Sequence, residues 1–280
     1  MQIYKDENFE LFVINGGNFW LDGGAMFGVV PKNIWGRLIP VNKENQIPMA
    51  TNSLVIKDLQ NNRIFLTDTG NGDKYSDKEN SIYKFEDKTI VDGLKEIGIS
   101  PKDVTDIIFT HLHFDHCGGS TKLNGEQIEI VFPNAQYYIQ NKEWEEAINT
   151  HERNRASYLT WDFMPLMEEG KVVLVEGKTE IAGNISLIPT AGHTLGHQSI
   201  LVKIGDNYFF FAGDLIPTTR HIPTPFVMSY DLYPVTTVKI KNKILQQAID
   251  ENWTLIFEHD HDTPTGNIVL NSKNKFKLRG

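Results

Sequence analysis

The sequence has a single cysteine, Cys117, among its 280 residues. An internal disulfide is therefore excluded, which is typical of proteins from a reducing compartment. No stretch approaches the roughly 18 consecutive apolar residues that a membrane-spanning helix requires. The N-terminal residues MQIYKDENFELFVING lack the basic and then apolar order of a secretory signal. These absences predict a cytoplasmic protein that is not associated with a membrane.

Basic residues are also few, with 27 Lys and Arg against 36 Asp and Glu and a formal net charge of −9. Because nucleic-acid binding requires clustered lysine and arginine, no nucleic-acid partner is expected. The short basic stretch KIKNKI at 239–244 is interpreted as the solvated face of a helix. The expected partner is a small-molecule substrate, and the oligomeric state is left open, with a homodimer as one option.

Ten segments have the β-branched and aromatic content, separated by Gly, Asn and Asp, that is typical of strands. They are 11–14, 53–58, 63–68, 106–110, 135–140, 171–175, 185–190, 199–204, 208–214 and 254–260. Helical patterns cover about 88–98, 141–150 and 234–251, and the region 150–168 is ambiguous. This mixture, without strict alternation of strand and helix, predicts an α+β fold with two sheets packed face to face and helices outside.

The stretch THLHFDHCGGS at 110–120 places four residues that can bind metal within six positions. They are His111, His113, Asp115 and His116. Protonated, the histidines would repel one another, and neutral and buried, each ring would need a hydrogen-bond partner. One helix face cannot hold all four, because helical neighbours are three or four residues apart. On a tight loop, which the following Gly-Gly pair permits, the first two could face one cation and the last two a second.

Two four-coordinate ions need more ligands than this loop provides. Other candidates lie where predicted strands end. They are His193 in TAGHTLGHQS, Asp214 in FAGDL, and His259 or His261 in FEHDHD. Since strand ends that meet on one rim are a usual place for a site, the sequence predicts a centre with two metal ions.

With its order His-x-His-x-Asp-His, then His, Asp and His, the chain resembles the metallo-β-lactamase superfamily from about residue 50 to 262. The resemblance implies an αββα sandwich, with two mixed sheets flanked by helices, as a single domain over 1–280. It implies an N-terminal extension at 1–50 and an inserted helical region at about 141–168. The implied ligands are His111, His113 and His193 in one site and Asp115, His116 and His259 in the other, with Asp214 as the bridge.

Neighbouring residues are expected to have other roles. His197 is expected to be a hydrogen-bonded structural histidine, since in the similar proteins the first histidine of GHTLGH binds metal. Asp68 is expected to orient a ligand imidazole, with a turn cap as the alternative. Cys117 has thiol chemistry that suits soft metals, but the family pattern has no thiolate here, so a small buried side chain is expected. His259 is preferred to His261 because it directly follows a predicted strand.

The implied chemistry is hydrolysis. Paired divalent ions about 3.5–4 Å apart lower the pKa of a shared water and polarise the bond under attack. We therefore expect a metal-dependent hydrolase in which a metal-bridging hydroxide attacks an acyl carbon, Asp214 bridges, and Asp115 passes a proton to the leaving group. Zinc is the expected metal, with manganese, iron or cobalt as alternatives.

HLHFDHCGG and TAGHTLGHQS are most similar to quorum-quenching N-acyl-homoserine lactone lactonases, which implies a lactonase. A glyoxalase-II-like thioesterase, a phosphotriesterase-like hydrolase and a non-catalytic binding module are the alternatives. The similar lactonases have a tyrosine three residues after the bridging aspartate. Here Pro217 occupies that position, and Tyr230, Tyr233 or His221 could replace the tyrosine.

Two apolar features bear on the substrate. The inserted region has large side chains that could line an acyl-chain site or belong to the core. They are Trp144, Tyr158, Trp161, Phe163, Met164 and Met167. The segment DGGAMFGVVPKNIW at 22–35 could form an apolar lip over the site or a turn between strands.

Overall fold

The computed structural model describes all 280 residues, which form two compact units. Unit 1 comprises Met1–Asn18 and Ala50–Glu176, and unit 2 comprises Phe19–Met49 and Gly177–Gly280. The organisation as one domain with an N-terminal extension and an inserted helical region stays a prediction. No helix is both long enough and apolar enough to span a bilayer.

Sixteen strands and eight α-helices make up the regular structure. The strands are β1 (Gln2–Lys5), β2 (Phe9–Asp22), β3 (Gln46–Asp58), β4 (Arg63–Thr67), β5 (Asp106–Ile108), β6 (Thr121–Asn124), β7 (Gln127–Ile130), β8 (Gln136–Gln140), β9 (Val172–Val175), β10 (Thr179–Glu180), β11 (Ile185–Pro189), β12 (Gln198–Ile204), β13 (Asn207–Phe211), β14 (Thr254–Ile256), β15 (Thr265–Leu270) and β16 (Phe276–Leu278). The helices are α1 (Gly23–Phe27), α2 (Lys32–Trp35), α3 (Asp77–Tyr83), α4 (Ile90–Glu96), α5 (Phe114–Cys117), α6 (Asn141–Ile148), α7 (Thr160–Glu168) and α8 (Pro234–Asp250).

The main sheet of unit 1 has the strand order β1-β2-β3-β4-β5-β8-β9. It is mixed, since β1–β2 and β3–β4 pair antiparallel whereas β4, β5, β8 and β9 run parallel. Thr67 at the end of β4 lies opposite Ile108 at the end of β5. Because parallel strands end at the same edge, the residues that follow them, Asp68 and Thr110, come together there.

The sheet of unit 2 runs in order from β10 to β16. Its neighbours pair antiparallel except β13 and β14, which are parallel. Phe211 at the end of β13 lies opposite Ile256 at the end of β14. This pairing brings the residues beyond the two strand ends, among them Asp214 and His259, to one edge of the sheet.

All ten predicted strands are present, and two of them end three or more residues earlier than expected. The predicted strand at 208–214 stops at Phe211, and the one at 254–260 stops at Ile256. Asp214 therefore lies not in a strand but in a 3₁₀ turn, Gly213–Leu215. The ambiguous region 150–168 contains α7, and the sequence did not predict β1, β6, β7, β10, β15, β16, α1, α2, α3 or α5.

The segment 22–35 is not a simple turn between strands. It folds into α1 and α2, and Met26 and Phe27 are buried. Phe27 stacks on Trp35 and on His221, with ring centroids 5.2 and 4.7 Å apart. The simple turn was therefore wrong, and the role of the segment as a lip over the site stays a prediction.

Candidate metal centre

In unit 1, a carboxylate after β4 orients the imidazoles that follow β5. Asp68, with a φ of +46°, accepts from the Thr110 N–H at 2.7 Å and from its hydroxyl at 2.6 Å. Oδ2 of Asp68 also lies 3.1 Å from Nδ1 of His116. The expected contact between Asp68 and an imidazole is therefore confirmed.

These contacts decide which nitrogen of each ring has the proton. The Thr110 hydroxyl has one proton, which it donates to Asp68, so Nδ1 of His111, 3.0 Å from Thr110 Oγ1, must be the donor in that pair. Nδ1 of His116 likewise donates to Asp68. In both neutral rings Nε2 is consequently the unprotonated nitrogen, the form that binds metal.

The four motif residues place their ligand atoms close together at buried positions. A ring nitrogen of His111 lies within 4.8 Å of a ring nitrogen of His113 and of His116. A carboxylate oxygen of Asp115 also lies within 4.8 Å of a ring nitrogen of His116. Oδ1 of Asp115 is 3.8 Å from Nε2 of His116. The motif is not entirely a loop as expected, because α5 begins directly after His113, which is its N-cap.

The glycine pair after the motif permits close packing rather than an unusual turn. A Cβ on Gly118 would lie 2.1 Å from the Asn71 carbonyl oxygen, and one on Gly119 would lie 2.2 Å from that of Thr69. Both distances are far below van der Waals contact, so only glycine fits at either position.

In unit 2, Asp214 places one carboxylate oxygen beside each of two histidines. Oδ2 lies 3.0 Å from Nε2 of His193, and Oδ1 lies 3.2 Å from Nε2 of His259. All three side chains are buried. His261 is instead 42% exposed, and its Nδ1 lies 2.9 Å from Oδ1 of Asp262.

Asp231 orients His193, and sequence reasoning missed it. Its Oδ1 lies 3.0 Å from Nδ1 of His193, and Asp231 is 1% exposed. Each nitrogen of the ring thus faces a carboxylate, and with the proton on Nδ1, donated to Asp231, Nε2 would direct a lone pair towards the Asp214 carboxylate. A bound cation relieves the repulsion between two such acceptors, and imidazole nitrogen with carboxylate oxygen is a ligand set that zinc accepts. These residues fit a divalent metal.

His197 has the structural role expected for it. Its Nε2 accepts the Asp214 N–H at 3.0 Å, so Nδ1 donates to Thr190 Oγ1 at 2.8 Å. Thr190 then donates to Ser199 Oγ at 2.9 Å, which donates to the Ala212 carbonyl at 2.9 Å. This chain of donors fixes the backbone of Asp214.

Two further residues are not placed as ligands. Cys117 is fully buried, donates to the Leu112 carbonyl at 3.4 Å, and burial raises the pKa of its thiol well above the usual value. His221 is also fully buried and lies 2.8 Å from Thr218 Oγ1 and 2.9 Å from the Met26 carbonyl. Burial lowers the pKa of His221 to about 3, so the ring is neutral with both nitrogens in use. His221 as a replacement for the missing tyrosine was therefore wrong.

A cavity of about 340 Å³ lies beside the metal motif within unit 1. Its lining residues are Tyr75, Ser76, Lys78, Glu79, Ile82, Tyr83, Phe114, Ala156 and Leu159. Phe114 belongs to the motif, and its ring centroid is 5.3 Å from that of Tyr83. None of the large side chains singled out in 141–168 lines this cavity. Trp144, Tyr158 and Phe163 belong to the core, with Met164 and Met167 packed against it, so the alternative of a core role is the one that the structure supports for them.

Residues 47–259 match the family model of the metallo-β-lactamase superfamily. The chain belongs to this superfamily. The predicted family and the α+β, αββα fold class are thereby confirmed. The fold also agrees with a solved probable metal-dependent hydrolase from Staphylococcus aureus, with a TM-score of 0.88, 29% identity and 99% of each chain covered.

Several relatives of this superfamily member are lactonases. An N-acyl homoserine lactonase from Bacillus sp is 36% identical over 118 residues, 42% of this chain and 40% of the relative. The lactonase AttM of Rhizobium radiobacter is 26% identical over 186 residues, 63% of this chain and 65% of the relative. The chain thus matches less than two thirds of the length of either. AidC, a dizinc quorum-quenching lactonase, shares the fold with a TM-score of 0.82 at 21% identity, covering 100% of this chain and 96% of its own.

Proposed function

We propose that this chain is a hydrolase with two divalent metal ions, zinc by preference, that opens N-acyl-homoserine lactone rings and thereby belongs to the quorum-quenching type. The proposed ligands are His111, His113 and His193 for one ion and Asp115, His116 and His259 for the other, with Asp214 as the bridge. The observation that most supports this is the position of the Asp214 carboxylate, with one oxygen beside each of two histidines.

The residues around the proposed ligands support metal binding of this kind. Asp68, Thr110 and Asp231 each fix a proton on an Nδ1 atom, which leaves Nε2 as the metal-binding nitrogen. Outer partners of this type orient ligand rings and raise their basicity. When bound, two such ions would lower the pKa of a water and polarise an acyl carbonyl.

Within this proposal, Asp115 has a second role. Its carboxylate is 8% exposed and follows Phe114, which lines the cavity. We propose that a carboxylate oxygen of Asp115 takes the proton released by the attacking water and passes it to the alkoxide oxygen that leaves when the C–O bond of the lactone ring breaks.

The substrate class is supported by the relatives and by the cavity. The relatives from Bacillus sp and Rhizobium radiobacter are N-acyl homoserine lactonases. The cavity of about 340 Å³ beside Phe114 has an aromatic and aliphatic part, with Ser76, Lys78 and Glu79 as its polar lining residues. A pocket of this size and character suits an acyl chain.

Metal analysis followed by a parallel turnover assay tests the proposal. The purified protein should contain two metal ions per chain and hydrolyse N-acyl homoserine lactones faster than thioesters or phosphotriesters. Tyr83→Ala should raise the KM for long-chain lactones more than the KM for short-chain ones, because Tyr83 lines the cavity. Faster turnover of a thioester or a phosphotriester would move the assignment to that class, and no metal content would reject the proposal altogether.

A further inference from the structure

The backbone on both sides of His113 is held by the segment 143–158. The Leu112 N–H donates to Oε1 of Glu143 at 2.9 Å, and the Phe114 N–H donates to the carbonyl oxygen of Ser157 at 2.9 Å. Both contacts are to residues immediately adjacent to His113. The peptide that presents this imidazole is therefore fixed before and after the ring.

The ring of His113 is held by Tyr158. The two rings meet edge to face, with centroids 4.7 Å apart and planes at 68°. The Tyr158 hydroxyl donates to the same oxygen of Glu143 at 2.9 Å. One carboxylate oxygen of Glu143 thus accepts both from the Leu112 backbone and from the phenol that packs on His113.

The two residues are rigidly placed. Glu143 is 1% exposed and Tyr158 is 4% exposed. Glu143 lies on α6 next to Trp144, whose ring meets that of Phe163 edge to face with centroids 5.7 Å apart. Tyr158 belongs to the same hydrophobic core of unit 1. Neither side chain can move without disturbing this core.

We propose that Glu143 and Tyr158 are positioning residues of the metal centre, which set the direction of the His113 imidazole. The inference rests on the proposed function in taking His113 as a ligand. His111 and His116 are held through Nδ1 by Thr110 and Asp68, and the Tyr158 ring packs edge to face against the His113 ring. Metal–nitrogen bonds of about 2.0–2.1 Å leave little tolerance for a tilted ring. The segment 143–158 therefore contributes to metal affinity without binding metal.

Zinc affinity of the metal-free protein, measured by competition with a chromophoric chelator, tests the inference. Glu143→Leu removes the acceptor of two buried donors and should weaken the binding of one zinc equivalent about 10- to 100-fold, the usual loss for an outer partner. Glu143→Gln keeps an oxygen acceptor and should recover most of that affinity. Glu145→Gln makes the same change at an exposed position of the same helix, and should bind zinc like the wild type.

Tyr158→Phe keeps the ring and removes only the hydroxyl, so it decides the question if Glu143→Leu does not fold. It should weaken the binding of one zinc equivalent, while the melting temperature of the metal-free protein changes little. Wild-type zinc affinity in folded Glu143→Leu or in Tyr158→Phe would overturn the inference. So would a lower melting temperature of the metal-free variants with unchanged zinc affinity, because that result indicates a structural role alone.

The same measurements separate this inference from the proposed function. Zinc affinity is read without any substrate. Two zinc ions in the wild type, one weakened in Glu143→Leu, and no lactone turnover would reject lactonase activity and uphold the positioning role. Lactone turnover by the wild type, together with unaltered zinc affinity in the variants, would uphold lactonase activity and reject the positioning role.

Discussion

At the scale of single residues, the Asp214 carboxylate is the group that links two imidazoles. Its two oxygens lie 3.0 and 3.2 Å from Nε2 of His193 and His259. We expect Asp214→Ala to bind fewer than two metals per chain and to lose nearly all hydrolysis, since the substitution removes the carboxylate that lies beside both imidazoles. Elemental analysis and lactone turnover measure both effects, with exposed Asp206→Ala as the control. Two metals and wild-type turnover in Asp214→Ala would refute the bridge.

Two histidines near the end of β14 form a matched pair for a second test. His259 is buried beside Asp214, whereas His261 is 42% exposed beside Asp262. Because a ligand must approach its metal to about 2 Å, only the inward residue can bind. His259→Ala should lose one metal equivalent and most activity, and His261→Ala should keep both metals and most activity. The opposite ranking in metal content would move the ligand to His261.

Cys117 lies directly after the ligands but should not bind metal. It is fully buried and donates to the Leu112 carbonyl. Cys117→Ala should keep both metals and most turnover, with a loss of about 1 kcal/mol in the free energy of unfolding from the small cavity. Metal analysis with urea unfolding measures this. A missing metal equivalent would mean that the proposed ligand set is wrong.

At the scale of elements, a buried ion pair connects α7 to the chain behind the metal motif. Nζ of Lys74 lies 3.0 Å from Oδ1 of Asp162 and donates to the carbonyl oxygens of Gly118 and Thr121. Both charged side chains are almost completely buried. Burial raises the pKa of Asp162 to about 6, although the positive charge of Lys74 by itself lowers this pKa.

This shift predicts a pH dependence of stability. The folded pKa of Asp162, about 6, lies above the unfolded value of 3.8, so protonation stabilises the fold. The contribution of Asp162 protonation to the free energy of unfolding is complete below about pH 4 and is lost as the pH rises through 6. It amounts to roughly 3 kcal/mol, at 1.36 kcal/mol per pKa unit. Urea unfolding of the metal-free protein should show the wild type losing this much relative to Asp162→Asn between pH 4 and 7. A difference that does not vary with pH would contradict the shift.

One strand was predicted too short and one helix was missed, both for identifiable reasons. β2 contains Gly16 and Gly17, and glycine is depleted in strands, so only its first residues have the usual pattern. Gly17 has a φ of +121°, and a Cβ there would lie 2.3 Å from the Lys88 carbonyl oxygen. α3 has a local signature that could have been found, since Ser76 and Glu79 form a capping box.

At the scale of the whole molecule, metal removal should lower thermal stability. The proposed ligands extend from His111 to His259 in sequence, so the unfolded chain cannot hold them around an ion. A ligand that binds only the folded state stabilises it, by about 2.7 kcal/mol at 100 times its Kd. Chelation should therefore lower the melting temperature, and zinc should restore it where magnesium, which prefers oxygen ligands, does not. Equal melting temperatures with and without metal would argue against a metal centre.

The sequence by itself determined the superfamily, the fold class and a consistent set of candidate ligands. This was possible because ligand chemistry is a property of the side chain, and the spacing within HLHFDH is local. Only the tertiary structure revealed the partners of these ligands. Asp231 is 38 residues from His193, and Glu143 is 31 residues from Leu112. A lone carboxylate at such a separation has no local pattern, because its role depends on which strand ends and helices the fold brings beside it.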